Sequence, residues 1–252
     1  MAVHERVWER GAADPGHGAS TYAARPWRPE GTYALLGIFA GIWILQQIAG
    51  AITEAAIRAL DTPTEIPFGI VVYNGHAFRL DDFLFVINTD IVTRPWTLIT
   101  STVAHDPTSI SHILVNGLML FFFGPAVERL VGTKRFLTLF FVGGAISGVL
   151  QVFLVANLWH PAGALGASGA LMMLFGILMA ILPNQRILVY GIVPVPFWIA
   201  GLGYAAIDLL GAINPASRIG NFAHLSGMAL GLGYGLWQKQ DWRRKGVRLV
   251  PH

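Results

Sequence analysis

The sequence predicts an all-α polytopic membrane protein, with six transmembrane helices and one long surface loop after the first. Three observations lead there. Charged residues make up 12% of the 252 residues, against ~25% in soluble domains, while 54% are hydrophobic. The mean hydropathy is +0.56. The charges are confined between long uncharged stretches, each at least the ~20 residues that ~30 Å of hydrocarbon requires. The same numbers exclude a disordered chain. The pI of 9.4 does not mark nucleic-acid binding, because the basic residues form no patch interleaved with aromatics. No cysteine is present, which removes disulfides, thiol catalysis and cysteine-ligated metals.

In chain order, residues 1–30 are polar and carry Pro15, Gly16, Gly18, Pro26 and Pro29. They read as a flexible cytoplasmic tail and not as a signal peptide. Uncharged stretches follow at 31–53, 107–127, 136–185, 187–207 and 219–238. The third is too long for one span, and Trp159-His160-Pro161-Ala162-Gly163 divides it in two. The expected spans are 33–53, 110–127, 134–157, 167–183, 187–210 and 219–238, in one domain over 31–238 with a basic cytoplasmic tail at 239–252. Loop 1, about 54–106, contains Pro63, Pro67, Asn74-Gly75 and Pro95 and reads as an ordered loop on the membrane surface. Lys and Arg set the orientation. Thirteen fall on the side of both tails, against four (Arg58, Arg79, Arg94 and Arg218) on the other. The positive-inside rule then places both termini in the cytoplasm.

Polar side chains inside spans are costly and mark function or pairing. His112 and Asn116 lie near the start of span 2, Ser168 at the start of span 4 and His224 near the start of span 6. These spans run in the same direction, so all four residues fall near the outer membrane face. His112 and Asn116, four apart, share a helix face. Gly166 and Gly169 flank Ser168 and allow close approach, and Gly227 begins a stripe continued by Gly231 and Gly235 that permits tight helix packing. A lone span serine usually bonds back to its own helix, and a lone span histidine is more often structural. Four such residues at one depth point to a shared site. The chemistry that fits is acyl transfer: Ser168 as nucleophile, His224 as the base that takes its proton, and the Ser168 N–H, Asn116 and His112 as donors to an oxyanion. Asp208, near the end of span 5, could orient His224, but the preferred reading is a Ser–His dyad. His105 reads as structural, and Met172 as packing.

These residues resemble the motifs of rhomboid intramembrane serine proteases in their prokaryotic six-span form, over about 33–238. His112-Ile113-Leu114-Val115-Asn116, Gly166-Ala167-Ser168-Gly169 and Ala223-His224-Leu225-Ser226-Gly227 match the family's motifs on spans 2, 4 and 6 in order. Ala126-Val127-Glu128-Arg129 with Gly132 is similar to the family's turn between spans 2 and 3. The resemblance implies Ser168 and His224 as the catalytic pair, with Asn116 and His112 helping the oxyanion. It also implies cleavage of a substrate's transmembrane helix near its outer end, with span 5 and the loop near Asn214-Pro215 as a lateral gate. Two positions depart from the family. Its loop 1 often carries Trp-Arg, where this chain has Trp96-Thr97. Some members stack a tyrosine on the histidine, where this chain has Met172.

The expectation is therefore an intramembrane serine endopeptidase of a plasma (inner) membrane, with its active site near the outer face. It needs no cofactor and no metal: Asn116 and Ser168 are poor zinc ligands, and H-E-x-x-H is absent. Its partners are the lipid bilayer and single-span or polytopic membrane-protein substrates, with no nucleic acid. The glycine stripe leaves oligomeric state open. The alternative is a catalytically inactive relative that binds or escorts membrane proteins. A transporter would show inverted repeats, and none is visible.

Overall fold

The computed structural model describes residues 27–58, 69–73, 76–158, 163–189, 192–214, 216–217 and 219–246. Most of the N-terminal tail, residues 59–68 with Pro63 and Pro67, Asn74-Gly75, the Trp159-His160-Pro161-Ala162 breaker, residues 190–191, Pro215, Arg218 and the last six residues lie outside them. Each of the six expected spans coincides with a helix: α1 (Glu30–Arg58), α4 (Ile110–Val131), α5 (Thr133–Leu158), α6 (Ser168–Ile181), α7 (Phe197–Ala212) and α8 (Asn221–Arg244). Among them α1, α4 and α5 are by themselves long and apolar enough to cross a membrane. Exposed Ile44, Leu45, Phe121, Phe122, Leu202 and Leu210 face outward, as lipid-facing surface requires.

α6 is the axis of the bundle. From Gly169 to Ile181 nearly every residue is buried, because α6 is apolar on all sides and packs against α4, α5, α7 and α8. α8 runs closest to it. A Cβ on Gly231 would strike the Met173 carbonyl, and one on Gly227 the Gly169 carbonyl. The glycine stripe is thus used within the chain, bringing the α8 backbone onto that of α6. α5 closes on the same point, since a Cβ on Gly169 would stand 2.7 Å from Ser147 Cβ.

α6 has only 14 residues, about 21 Å of rise. That is about 9 Å short of the ~30 Å hydrocarbon layer. At least one end of α6 therefore stops short of the membrane surface. Irregular backbone at that depth is tolerated where it borders a polar cavity, and the 163–167 segment does so.

A buried carboxylate ties α1 to the turn between α4 and α5. Glu128 Oε1 accepts from the Gly31 N–H and the Thr133 hydroxyl, and Oε2 from the Thr32 N–H and hydroxyl, at 2.7–2.8 Å. Two of these donors are free N–H groups in the first turn of α1, which need a partner outside the helix.

Two boundaries differ from expectation. α1 continues to Arg58, past the expected end at 53, and Glu54 in its last turns pairs with Arg79 at 2.8 Å. Span 5 does not begin near 187. β3 (Arg186–Val189) and β4 (Val193–Pro196) form an antiparallel hairpin there, and α7 starts at Phe197. Pro194 and Pro196 have no N–H to give a helix interior and their rings clash with the preceding turn. An uncharged apolar run reads alike as strand or helix, which is why hydropathy merged the two.

Loop 1 is ordered around an arginine. β1 (Ile70–Tyr73) pairs antiparallel with β2 (His76–Arg79), followed by α2 (Leu80–Phe85) and α3 (Thr97–Thr100). Arg94, 1% exposed, makes a two-pronged pair with Asp90 at 2.8 and 2.9 Å. It also donates to the Asp82 and Phe83 carbonyls and stacks on the Phe78 ring at 4.8 Å. Thr97 is buried, and its hydroxyl donates to the Arg94 carbonyl. The anchor that Trp96-Thr97 left open is thus supplied by Arg94, two residues ahead of the tryptophan.

Candidate active site

α4, α6 and α8 run in parallel, so their first turns meet at one end of the bundle. There they line a cavity of about 1180 Å³ together with α1, α5, α7 and loop 1. Ser168, His224, His112 and Asn116 all border it, as do Gly166, Gly169 and Met172. Gly227 lies one turn deeper, in the α6–α8 contact.

Loop 1 holds the serine in place. The Gly166 N–H donates to the Ser101 carbonyl at 2.8 Å, and Ile87 pairs with Ala164 through two backbone bonds of 3.0 and 2.8 Å. Gly166 adopts φ +127°, a conformation closed to side chains. It is also the floor for His112, since a Cβ there would lie 2.8 Å from His112 Nε2. Ser168 then opens α6. Among the described residues its hydroxyl has no hydrogen-bond partner. The N–H groups of Ser168, Gly169 and Ala170 head the helix without carbonyl partners there. The result is a free hydroxyl beside the positive end of a helix.

Two hydrogen bonds fix the histidine tautomers. The Asp106 N–H donates to His112 Nδ1 at 3.1 Å, so that nitrogen carries a lone pair and the proton sits on Nε2, beside Gly166. His112 thereby presents a donor to the Gly166-Ala167-Ser168 segment. His224 is arranged the other way. Its Nδ1 lies 2.9 Å from Asp208 Oδ1, which assigns the proton to Nδ1 and leaves Nε2 as the acceptor. Asn116 is buried and spends one amide N–H on the His112 carbonyl at 2.9 Å, keeping the other.

The supporting residues were mostly not singled out by sequence reasoning. Asp208 was named only as a possible orienting group, and it touches His224. Asn221 donates to the same Asp208 oxygen at 2.9 Å and accepts from the Ser217 hydroxyl at 2.7 Å. Gln151 on α5 accepts the Ala223 N–H at 3.1 Å, capping the first turn of α8 next to His224. The signal for both was present in the sequence: a polar residue in an otherwise apolar span.

His105 is fully buried between the Phe39 ring, 4.7 Å away, and that of His112, 5.3 Å away. Among the described residues neither ring nitrogen has a hydrogen-bond partner of good geometry. Burial, and then the charge of His112, lower its pKa from 6.5 to about 3. It is a neutral wall behind His112, in keeping with the structural reading. Among the described residues no cluster of His, Asp and Glu could hold a metal ion.

The arrangement has known relatives. A model of the Rhomboid domain matches residues 92–240, more than half of the chain. Rhomboid protein 1, mitochondrial, of Saccharomyces cerevisiae is 32% identical over 177 residues, covering 63% of this chain and 48% of that protein. YdcA of Bacillus subtilis is 34% identical over 152 residues, covering 59% of this chain and 70% of its own length. Rhomboid protease GluP of the same organism is 31% identical over 142 residues, 54% of this chain and 26% of that protein. The chain spans about half the length of the first curated relatives it matches. With a multi-pass helical bundle, the three motifs at one end of it and a domain match over most of the bundle, the chain belongs to the rhomboid family.

Proposed function

We propose that this chain is an intramembrane serine endopeptidase that cleaves transmembrane segments of membrane-protein substrates. The observation that supports the reading is that one cavity carries both a Ser168 hydroxyl with no hydrogen-bond partner among the described residues and a His224 whose free nitrogen is Nε2. His224 Nε2 takes the Ser168 proton as Oγ attacks the scissile carbonyl carbon. The negative oxygen that forms is met by the Ser168 N–H, His112 Nε2–H and the remaining Asn116 N–H. Collapse breaks the C–N bond, and His224 returns the proton to the leaving amine. Water then attacks the acyl-serine, with His224 again as base, and frees the new carboxylate. No cofactor or metal takes part. A peptide bond reaches the serine only where a substrate helix has unwound, because a helical carbonyl is engaged by its own backbone.

We assign the chain to a plasma (inner) membrane on its similarity to the Bacillus subtilis relatives, and place both termini in the cytoplasm and the cavity outward on the distribution of Lys and Arg. Residues 1–30 and 239–252 are its cytoplasmic tails, flanking a catalytic domain at 31–238. The cysteine-free sequence makes the orientation testable: Thr108→Cys should react with an impermeant maleimide from outside, and Lys245→Cys only after permeabilisation. The activity is tested by reconstituting the protein in liposomes with single-span segments and mapping products by mass spectrometry. Cuts inside the segments that vanish in Ser168→Ala are expected. Intact segments throughout would favour the non-catalytic escort reading.

A further inference from the structure

We propose that Asp208 is a positioning residue that makes the site a Ser168–His224–Asp208 triad, with Asn221 as the clamp that holds the carboxylate. The inference rests on the protease reading above and specifies how its base is held. Asp208 is 3% exposed, on α7, while His224 is on α8. Its Oδ1 lies 2.9 Å from His224 Nδ1 and 2.9 Å from Asn221 Nδ2. Asn221 is in turn fixed by the Ser217 hydroxyl and pressed against Gly211, where a Cβ would collide with its amide. Asp208 Oδ2 is buried and has no hydrogen-bond partner among the described residues.

A carboxylate so placed does three things. It fixes the Nδ1–H tautomer, leaving Nε2 to accept the serine proton. It stops ring rotation. Being shielded from water and short of partners, it interacts most favourably with His224 once the imidazole is protonated, which is the state formed during acylation. That gain appears in the transition state and not in the resting enzyme. His112 on α4, Tyr204 on α7, Glu54 on α1, and Arg79, Asp81, Asp82 and Asp106 in loop 1 are the other titratable groups lining the cavity among the described residues, and none of them is hydrogen-bonded to the His224 ring.

The test compares Asp208→Asn and Asp208→Glu with the parent, all in lipid and with melting temperatures recorded. The asparagine amide can donate to Nδ1 and shift the ring proton to Nε2. We expect kcat to fall at least ~100-fold with KM little changed, approaching the ~10⁴-fold loss of other triads. Asp208→Glu should recover part of the rate. A purely structural role would lower the melting temperature and leave the His224 tautomer in place. Asp208→Asn within threefold of the parent, in a folded protein, overturns the proposal. The tautomer supplies a readout independent of turnover. In ¹⁵N-histidine-labelled protein, His224 should carry its proton on Nδ1 in the parent and on Nε2 in Asp208→Asn. An identical tautomer in both refutes the assignment even if the protein shows no proteolysis, an outcome that would separately remove the protease reading.

Discussion

Replacing Glu128 tests the packing logic of the bundle at a distance from the cavity. Its two oxygens accept four hydrogen bonds of 2.7–2.8 Å in a fully buried setting. In Glu128→Ala the Thr32 and Thr133 hydroxyls can rotate to other acceptors, but the Gly31 and Thr32 N–H groups cannot move without unwinding α1. Each buried donor left unmade costs about 1–3 kcal/mol. The lost charge-assisted bonds bring the total to about 4 kcal/mol, a large fraction of a net stability of ~5–15 kcal/mol. At ~2–4 °C per kcal/mol for a domain of this size, the midpoint should drop by about 8–16 °C. Glu128→Gln keeps the shape and one acceptor oxygen but turns an amide N–H toward the Thr32 N–H, so about half that loss is expected. The assay is thermal unfolding in a mild detergent, followed by tryptophan fluorescence. A Glu128→Ala midpoint within 2 °C of the parent would refute the claim that this carboxylate joins α1 to the α4–α5 turn.

Two more outcomes follow from the site. Asn116→Ala removes one oxyanion donor and should lower kcat by about 10²–10³-fold with little change in KM; steady-state kinetics on a fluorogenic transmembrane peptide would read it, and an unchanged kcat would exclude Asn116 from the oxyanion pocket. Burial holds His105 neutral down to about pH 3, whereas the unfolded chain takes up that proton near 6.5. The unfolded state therefore binds the extra proton first, and stability should fall as pH drops below 6.5, by about 2 kcal/mol between pH 7.5 and 5. Melting curves of parent and His105→Phe across that range should diverge, and parallel curves would contradict the buried neutral histidine.

What the sequence made legible was whatever a single physical signal controls. Lipid exposure controls the spans, so α1, α4, α5, α6 and α8 were found from the gaps between charges. The cost of polar atoms in hydrocarbon marked Ser168, His224, His112 and Asn116, and the shared direction of α4, α6 and α8 brought them to one end. The start of α7 was lost because Ile187–Pro196 is as apolar as a span, and only its prolines speak for strand. The Asp208–His224 contact was not legible because the two are sixteen residues apart and on different helices, so it depends on how α7 packs against α8. Arg94 was counted only among the four basic residues opposite the tails, yet it is the buried centre of loop 1. A side chain that satisfies backbone carbonyls and an aspartate far along the chain leaves no periodic trace.

The most direct test of the central claim, an activated Ser168, needs no substrate. A fluorophosphonate probe reacts with a serine only when a base has raised its nucleophilicity. The parent protein, purified in detergent and also held in lipid, should label covalently at Ser168, with labelling lost in Ser168→Ala and in His224→Ala while both variants remain folded and monodisperse. Failure of the folded parent to label in either environment, or labelling that survives Ser168→Ala, would contradict it.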